Sequence, residues 1–284
     1  MQEMLIPIGI LGALGALFAG LLGVAAKAFY VEIDETEARV REVLPGANCG
    51  ACGYPGCDGY AKAVAEGKAP VNLCSVGGAP VASQIAEIKG VETGDMTRMV
   101  ATVHCNGTND NTKTLYNYEG INDCRTMATL SGGSCKSCQY GCQGCGTCVD
   151  VCEYDAIHIV NGVALVDEDK CVACKKCIEI CPKNIISLTP YGAKAFVRCS
   201  SFDFGKAVKD ACKVGCIGCS LCTKLAPNEF EMDGKLARVK YSKDFDLEKA
   251  KAAAAKCPAK CIIITGEDSK PLVEVKEEKE TVTA

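Results

Sequence analysis

Two eleven-residue stretches, CQGCGTCVDVC at 142–152 and CVACKKCIEIC at 171–181, carry the same spacing, Cys-x2-Cys-x2-Cys-x3-Cys. Cysteines at that interval can turn their sulfurs toward one metal centre, whereas disulfides at that density would close crowded, strained loops. The chain holds 23 cysteines, which fits either a secreted disulfide framework or a reduced metal protein. The spacing selects the second. With no Trp, seven Phe and nine Tyr, few bulky residues are available to fill a core. The 284 residues are therefore expected to form several small metal-stabilised domains rather than one large one.

Residues 5–26, LIPIGILGALGALFAGLLGVAA, contain no charge and as a helix would run about 33 Å, enough to cross a bilayer core. A cleaved signal peptide is the competing reading, and Ala26-Lys27-Ala28 has the form of a cleavage site. Against it, MQEM carries no Lys or Arg and the apolar run exceeds a signal's usual core. The expectation is an uncleaved transmembrane anchor over 1–28. Lys27, Arg39 and Arg41 follow the segment, so the positive-inside rule places the rest in the cytoplasm, where thiols stay reduced. Gly12, Ala16 and Gly20, and beside them Gly15, Ala19 and Gly23, either admit another membrane helix or reflect ordinary glycine abundance in such helices. The net charge is −4, and lysines mixed with acids form no basic stripe, which argues against a nucleic-acid partner.

Further along, 32–43 reads as a short acidic helix closed by Leu44-Pro45-Gly46. A first small domain, 29–95, then holds Cys49, Cys52, Cys57 and Cys74 on glycine-rich loops, with helical stretches at 61–67 and 81–91. Residues 96–134 form an irregular connector containing His104, Cys105 and Cys124. Beyond it, 156–166 with Asn161-Gly162 and 229–239 with Asp233-Gly234 read as β-hairpins beside cysteine runs. This α+β unit occurs twice, over 135–198 and 199–266. The tail, 267–284, alternates acids and lysines and is expected to be disordered.

The twin runs resemble those of two-cluster bacterial ferredoxins, in which three thiolates of one run and the last of the other hold each [4Fe–4S] cube. That resemblance covers about 138–188. It implies one cluster on Cys142, Cys145, Cys148 and Cys181, and another on Cys152, Cys171, Cys174 and Cys177. Pro182 matches the pattern and Glu153 departs from it. Cys216, Cys219 and Cys222 repeat half of it, but Ala226 stands where the fourth cysteine should be and a helical stretch, 246–256, replaces the second run. This resembles a single-cluster ferredoxin with Cys257 as last ligand. Cys49, Cys52, Cys57 and Cys74 have a different spacing that suits zinc or a cube.

NCGACGYPGCDGYAKAV, at 48–64, is similar to the iron–sulfur domain of Rnf complex B subunits, and a related domain occurs in corrinoid iron–sulfur proteins. Anchor, first domain and ferredoxin modules together resemble the Rnf B family over nearly the whole chain. The resemblance implies a cell-membrane electron-transfer subunit that accepts electrons from soluble reduced ferredoxin. It would relay them through at least four [4Fe–4S] clusters toward NAD reduction coupled to Na⁺ or H⁺ translocation, alongside the complex's other membrane and peripheral subunits. No G-x-G-x-x-G opens a βαβ unit, so a nicotinamide site is expected elsewhere in the complex. The competing readings are the iron–sulfur subunit of another membrane oxidoreductase, a corrinoid-linked iron–sulfur protein and a zinc-rich scaffold. Seven cysteines remain: Cys105, Cys124, Cys135, Cys138, Cys199, Cys212 and Cys261. Either they are buried small hydrophobes, or Cys105, Cys124, Cys199 and Cys212 converge on a fifth cluster. Lys175 and Lys176, or the lysines at 206, 209, 213 and 224, would steer docking of an acidic ferredoxin.

Overall fold

A computed structural model describes residues 2–29, 34–94, 96–130 and 132–265. Helix α1, Gln2–Ala28, contains a window, Leu11–Ala28, of mean hydropathy 1.7 with none of it buried. It is the one helix among the described residues long and apolar enough to cross a membrane. Leu11, Leu17, Phe18, Leu21 and Leu22 stand exposed around it, and a helix apolar on every side belongs in hydrocarbon. Helix α2, Glu35–Val43, starts at Asp34, whose carboxylate accepts from the Thr36 amide at 2.8 Å. Glu32 and Ile33, with which the sequence reading began this helix, lie outside the described residues, as does the charged tail.

Helices α2, α3 (Gly56–Ala65) and α4 (Gly78–Lys89) enclose a core of Val40, Leu44, Tyr60, Val64 and Ile85. Tyr60 is fully buried because its hydroxyl has partners: it donates to the Pro70 carbonyl at 2.8 Å and accepts from the Leu73 amide at 3.2 Å. Gly90, at φ 65°, closes α4.

Strand β1, Met99–Val103, and the short helix α5, Cys124–Ala128, arise from the stretch expected to be an irregular connector. The single-turn helix α6, Thr147–Asp150, lies within the first cysteine run and carries Cys148. Next comes the hairpin β2 (Ile157–Val160) and β3 (Val163–Val166), then α7 (Lys176–Ile180) and β4 (Ile186–Pro190). Asn161 and Gly162 both have positive φ, 48° and 75°, as a primed two-residue turn requires. β1 pairs antiparallel with β4, so the connector is an integral strand of the two-cluster module. Periodicity concealed it because four of the five residues of MVATV are buried, which leaves no alternation to read.

The second unit repeats this plan. β5 (Ala195–Val197) is followed by α8 (Lys206–Ala211), α9 (Leu221–Leu225), the hairpin β6 (Phe230–Asp233) and β7 (Leu236–Val239), α10 (Leu247–Ala255) and β8 (Ile262–Ile264). β5 pairs with β8, so 195–197 belongs with this unit rather than with the preceding 135–198. The turn of its hairpin falls at Gly234-Lys235, one residue later than the sequence reading. Asp246 caps α10, accepting from the amides of Glu248 and Lys249. Ala226, Ala250 and Ala253 are fully or almost fully buried. A helix thus fills the place that a second cluster would take.

Gly144, inside the first cysteine run, sits at φ +79° with the Gly162 carbonyl 2.6 Å from where a Cβ would be; Gly53, at φ +88°, faces open space. Gly144→Ala should therefore lower stability by about 2–5 kcal/mol, combining backbone strain with overpacking against the hairpin turn. Gly53→Ala should lose only about 1 kcal/mol. Anaerobic thermal unfolding followed by circular dichroism checks the contrast.

Candidate metal centres

Cys49, Cys52, Cys57 and Cys74 line one pocket together with Leu44 and Tyr60. The loop folds back through Gly50 at φ 71° and Asn48 at φ 46°, and the Asn48 side chain accepts the Cys57 amide at 2.8 Å. Burial pushes the Cys74 thiol up, and the Gly77 amide donates to its sulfur at 3.4 Å.

Cys152, Cys171, Cys174 and Cys177 line a second pocket. The last cysteine of the first run thus joins the first three of the second, as the ferredoxin resemblance implies. Two positive-φ residues, Ala173 and Lys175, wind the loop, while the amides of Ala101 and Ala156 donate to the Cys171 and Cys152 sulfurs at 3.3 and 3.4 Å. Burial, then the Cys171, Cys174 and Cys152 sulfurs, push the Cys177 thiol up to about 12.

A third pocket is lined by Cys142, Cys148 and Cys181 together with Cys124. Cys145 is absent from this lining. Its sulfur lies 3.8 Å from the Met127 sulfur, and burial followed by the neighbouring Cys124 pushes its thiol up to about 12. The Cys148 thiol is also pushed up to about 12, by burial and then by Cys142, Cys124, Cys181 and Cys177. Cys124 is braced at the start of α5: its amide donates to the Thr147 hydroxyl at 2.7 Å, and that hydroxyl donates to Asp123 at 2.9 Å.

In the second unit the Cys222 thiol, raised to about 11 chiefly by burial, feels Cys216, Cys257 and Cys219, so the fourth set is also together. Cys219 is exposed. Cys261 stands 3.7 Å from Cys257, and hydrogen bonds from its thiol lower Cys216 to about 6 and Cys257 to about 5.

Of the remaining cysteines, Cys105, Cys199 and Cys212 do converge, but with Cys138 in place of Cys124. Cys-x2-Gly-Cys occurs at both 138–142 and 212–216, and that repetition was the signal for Cys138. Among the described residues no three His, Cys, Asp or Glu side chains could hold a single metal ion. Four-cysteine sets at ferredoxin spacing, with the last cysteine of each run reaching the other run's pocket, suit a polynuclear cluster. His104 is otherwise engaged: its Nδ1–H donates to the Val197 carbonyl at 3.1 Å, leaving Nε2 to accept from the Ser187 hydroxyl at 2.6 Å. Neither proposed docking lysine has an idle head group. Lys175 donates to the Ala51 carbonyl at 2.7 Å, and Lys176 pairs with Glu153.

Three family descriptions match the chain: a putative Fe-S cluster over 44–76, a 4Fe-4S dicluster domain over 141–185, and a 4Fe-4S single cluster domain of ferredoxin I over 213–264. The B subunit of the Na(+)-translocating ferredoxin:NAD(+) oxidoreductase complex of Acetobacterium woodii is 41% identical over 264 residues, covering 92% of this chain and 78% of that protein. The B subunit of the ion-translocating oxidoreductase complex of Methanosarcina acetivorans is 38% identical over 90% of this chain and 96% of its own. The B subunit of the proton-translocating ferredoxin:NAD(+) oxidoreductase complex of Clostridium ljungdahlii is 38% identical over 94% and 95%. With three iron–sulfur family matches on the thiol-ringed voids and this likeness over most of its length, the chain belongs to the family of B subunits of ion-translocating oxidoreductase complexes.

Proposed function

We propose that the chain is the electron-transfer subunit of a membrane-bound Rnf complex, taking electrons from reduced ferredoxin and passing them toward NAD⁺ reduction coupled to Na⁺ or H⁺ translocation. The observation that carries this is the adjacency of the thiol rings. The Cys174 thiol, raised chiefly by burial, feels both Cys152 of its own ring and Cys49 of the first, and the Cys148 thiol feels Cys177 across to the next. Lys175 to the Ala51 carbonyl and Ser75 to the Ala173 carbonyl, at 2.7 and 3.3 Å, hold the first domain against the second ring. [4Fe–4S] clusters, when bound, supply one-electron redox chemistry at potentials set by burial and hydrogen bonds to sulfur.

In this reading α1 anchors the chain, and Lys27, Arg39 and Arg41 keep the soluble domains on the cytoplasmic side. Cys49, Cys52, Cys57 and Cys74 hold the cluster nearest the anchor in sequence. Cys152, Cys171, Cys174 and Cys177 hold the second, and Cys216, Cys219, Cys222 and Cys257 the one in the last module. For the remaining cluster the ferredoxin run supplies Cys142, Cys145 and Cys148, with Cys181 crossing from the other run and Cys124 close beside Cys145. Ferredoxin docks at the last module, where Cys219 is exposed and Lys206, Lys209 and Lys224 stand on the surface. The nicotinamide site lies elsewhere in the complex.

Anaerobic stopped-flow mixing of reduced ferredoxin with the full chain tests the reading: the chain's iron–sulfur absorbance should bleach, with no NADH formed until the other subunits are added. Absence of electron uptake would sink it. Charge reversal at Lys206, Lys209 and Lys224 together should lower the association rate about tenfold and flatten its salt dependence. Cys145→Ala should remove about four irons per chain, the content of one cube, whereas Cys124→Ala should leave the iron count unchanged. Cys261→Ala, by removing the thiol that lies 3.7 Å from the Cys257 sulfur, should move one cluster potential negative by tens of millivolts, since ~1 kcal/mol is roughly 40 mV for one electron. Potentiometric EPR reads that shift, and Cys261→Ser should restore most of it.

A further inference from the structure

The two ferredoxin-like repeats share four features that neither cysteine run explains. Each begins with a strand, β1 or β5, and two residues after it comes a cysteine, Cys105 or Cys199. Each then carries Cys-x2-Gly-Cys, Cys138 to Cys142 or Cys212 to Cys216, whose last cysteine opens the cluster run. The Cys142 amide donates to the Cys105 sulfur at 3.3 Å, and the Cys216 amide donates to the Cys199 sulfur at the same distance. A second amide, two residues on, completes both: Gly107 to Cys105 at 3.4 Å and Ser201 to Cys199 at 3.5 Å.

The repeats face one another through reciprocal contacts. His104 donates to the Val197 carbonyl at the end of β5, and Arg198 donates to the Val103 carbonyl at the end of β1, at 3.1 and 2.9 Å. This pseudo-two-fold docking brings two cysteines from each repeat, Cys105 and Cys138 with Cys199 and Cys212, around one pocket. A Cβ on Gly141 would lie 3.5 Å from both the Cys105 and Cys138 sulfurs, and one on Gly107 would lie 3.4 Å from Cys105 and 3.9 Å from Cys212. Glycine backbone therefore lies directly against these sulfurs.

The surroundings suit an anion. Lys136 and Arg198 both line the void; the Lys136 ammonium is held by the Gly107 carbonyl at 2.9 Å, and Arg198 Nε is buried with no hydrogen-bond partner. Buried cations and convergent amides are costly beside neutral thiols and favourable beside thiolates that share a metal cluster. All four cysteines fall outside the three matched family stretches, two of which begin just past Cys138 and Cys212, at 141 and 213.

We infer that Cys105, Cys138, Cys199 and Cys212 hold a fifth iron–sulfur cube, shared between the two repeats and joining the cluster at Cys142 to the cluster at Cys216. It rests on the relay reading above and supplies the link that the relay lacks, because its sulfurs accept amides from a ligand residue on either side.

The test is an iron, acid-labile sulfide and zinc inventory of the anaerobically purified full chain. Wild-type protein and the control Cys135→Ala should carry about 20 irons and about 20 sulfides, five cubes of four, and Cys138→Ala and Cys212→Ala about four fewer of each. Equal iron in wild type and both variants, or loss of one zinc instead, overturns the proposal. Should the alanine variants not fold, Cys138→Ser keeps the volume, and a shifted potential for one cluster in an EPR redox titration becomes the readout; unchanged potentials overturn it. Electron uptake from ferredoxin is measured separately, so a chain with the full iron count that takes no electrons would remove the function and leave the site standing.

Discussion

Thiol sulfurs crowded into buried space constrain everything else in this molecule. A thiol becomes a ligand only as a thiolate, and burial disfavours that charge: it is the main cause holding Cys142 near 11 and Cys148 and Cys177 near 12. Metal loading reverses the balance by supplying the compensating charge, so loop folding and cluster binding are one equilibrium. The apolar cores are built around the same sulfurs. Cys142, Cys148, Cys171 and Cys177 pack with Val100, Ile157 and Ile185 in one module, and Cys216 and Cys222 pack with Phe230 and Leu236 in the other. A chain without Trp can fold into small units because clusters take the volume that aromatic side chains usually fill.

Domain contacts in this protein are polar and directional. Lys175 reaches the Ala51 carbonyl, Arg98 the carbonyls of Glu168 and Asp169, and His104 and Arg198 cross between the repeats. Hydrogen bonds from side chain to carbonyl fix orientation more sharply than an apolar face, which tolerates sliding. Electron transfer between clusters falls steeply with distance, so fixed orientation matters more here than buried area.

Much of this was legible in the sequence because cysteine spacing and turn chemistry are local. The crossed assignment of Cys152 and Cys181, the Asn161-Gly162 turn and the Asp246 cap all follow from residues close together in the chain. What escaped was nonlocal. Strand β1 carries no alternation because it is buried on both faces, and only its pairing with β4, more than eighty residues on, defines it. The repeated Cys-x2-Gly-Cys marked Cys138, but which cysteines it meets is set by residues from distant loops. Lys175 read as a free charge because its partner lies 124 positions away.

The duplication also explains why the last module keeps one cluster in its run and still belongs to the relay. Ala226 and the alanine face of α10 abolish the second cube of that run, while Cys199 and Cys212 retain the positions that Cys105 and Cys138 occupy in the first repeat. Losing that cube costs a relay nothing if electrons enter at Cys219, which is exposed, and leave through the shared void toward Cys142. Losing the shared site would break the path. Cys105 accepts the Cys142 amide and Cys199 the Cys216 amide, so the void between them is where the two repeats' cluster loops come together. On the relay reading the strand–x–Cys and Cys-x2-Gly-Cys pairs are therefore the features that a divergent copy must keep even after half of its cluster run has gone.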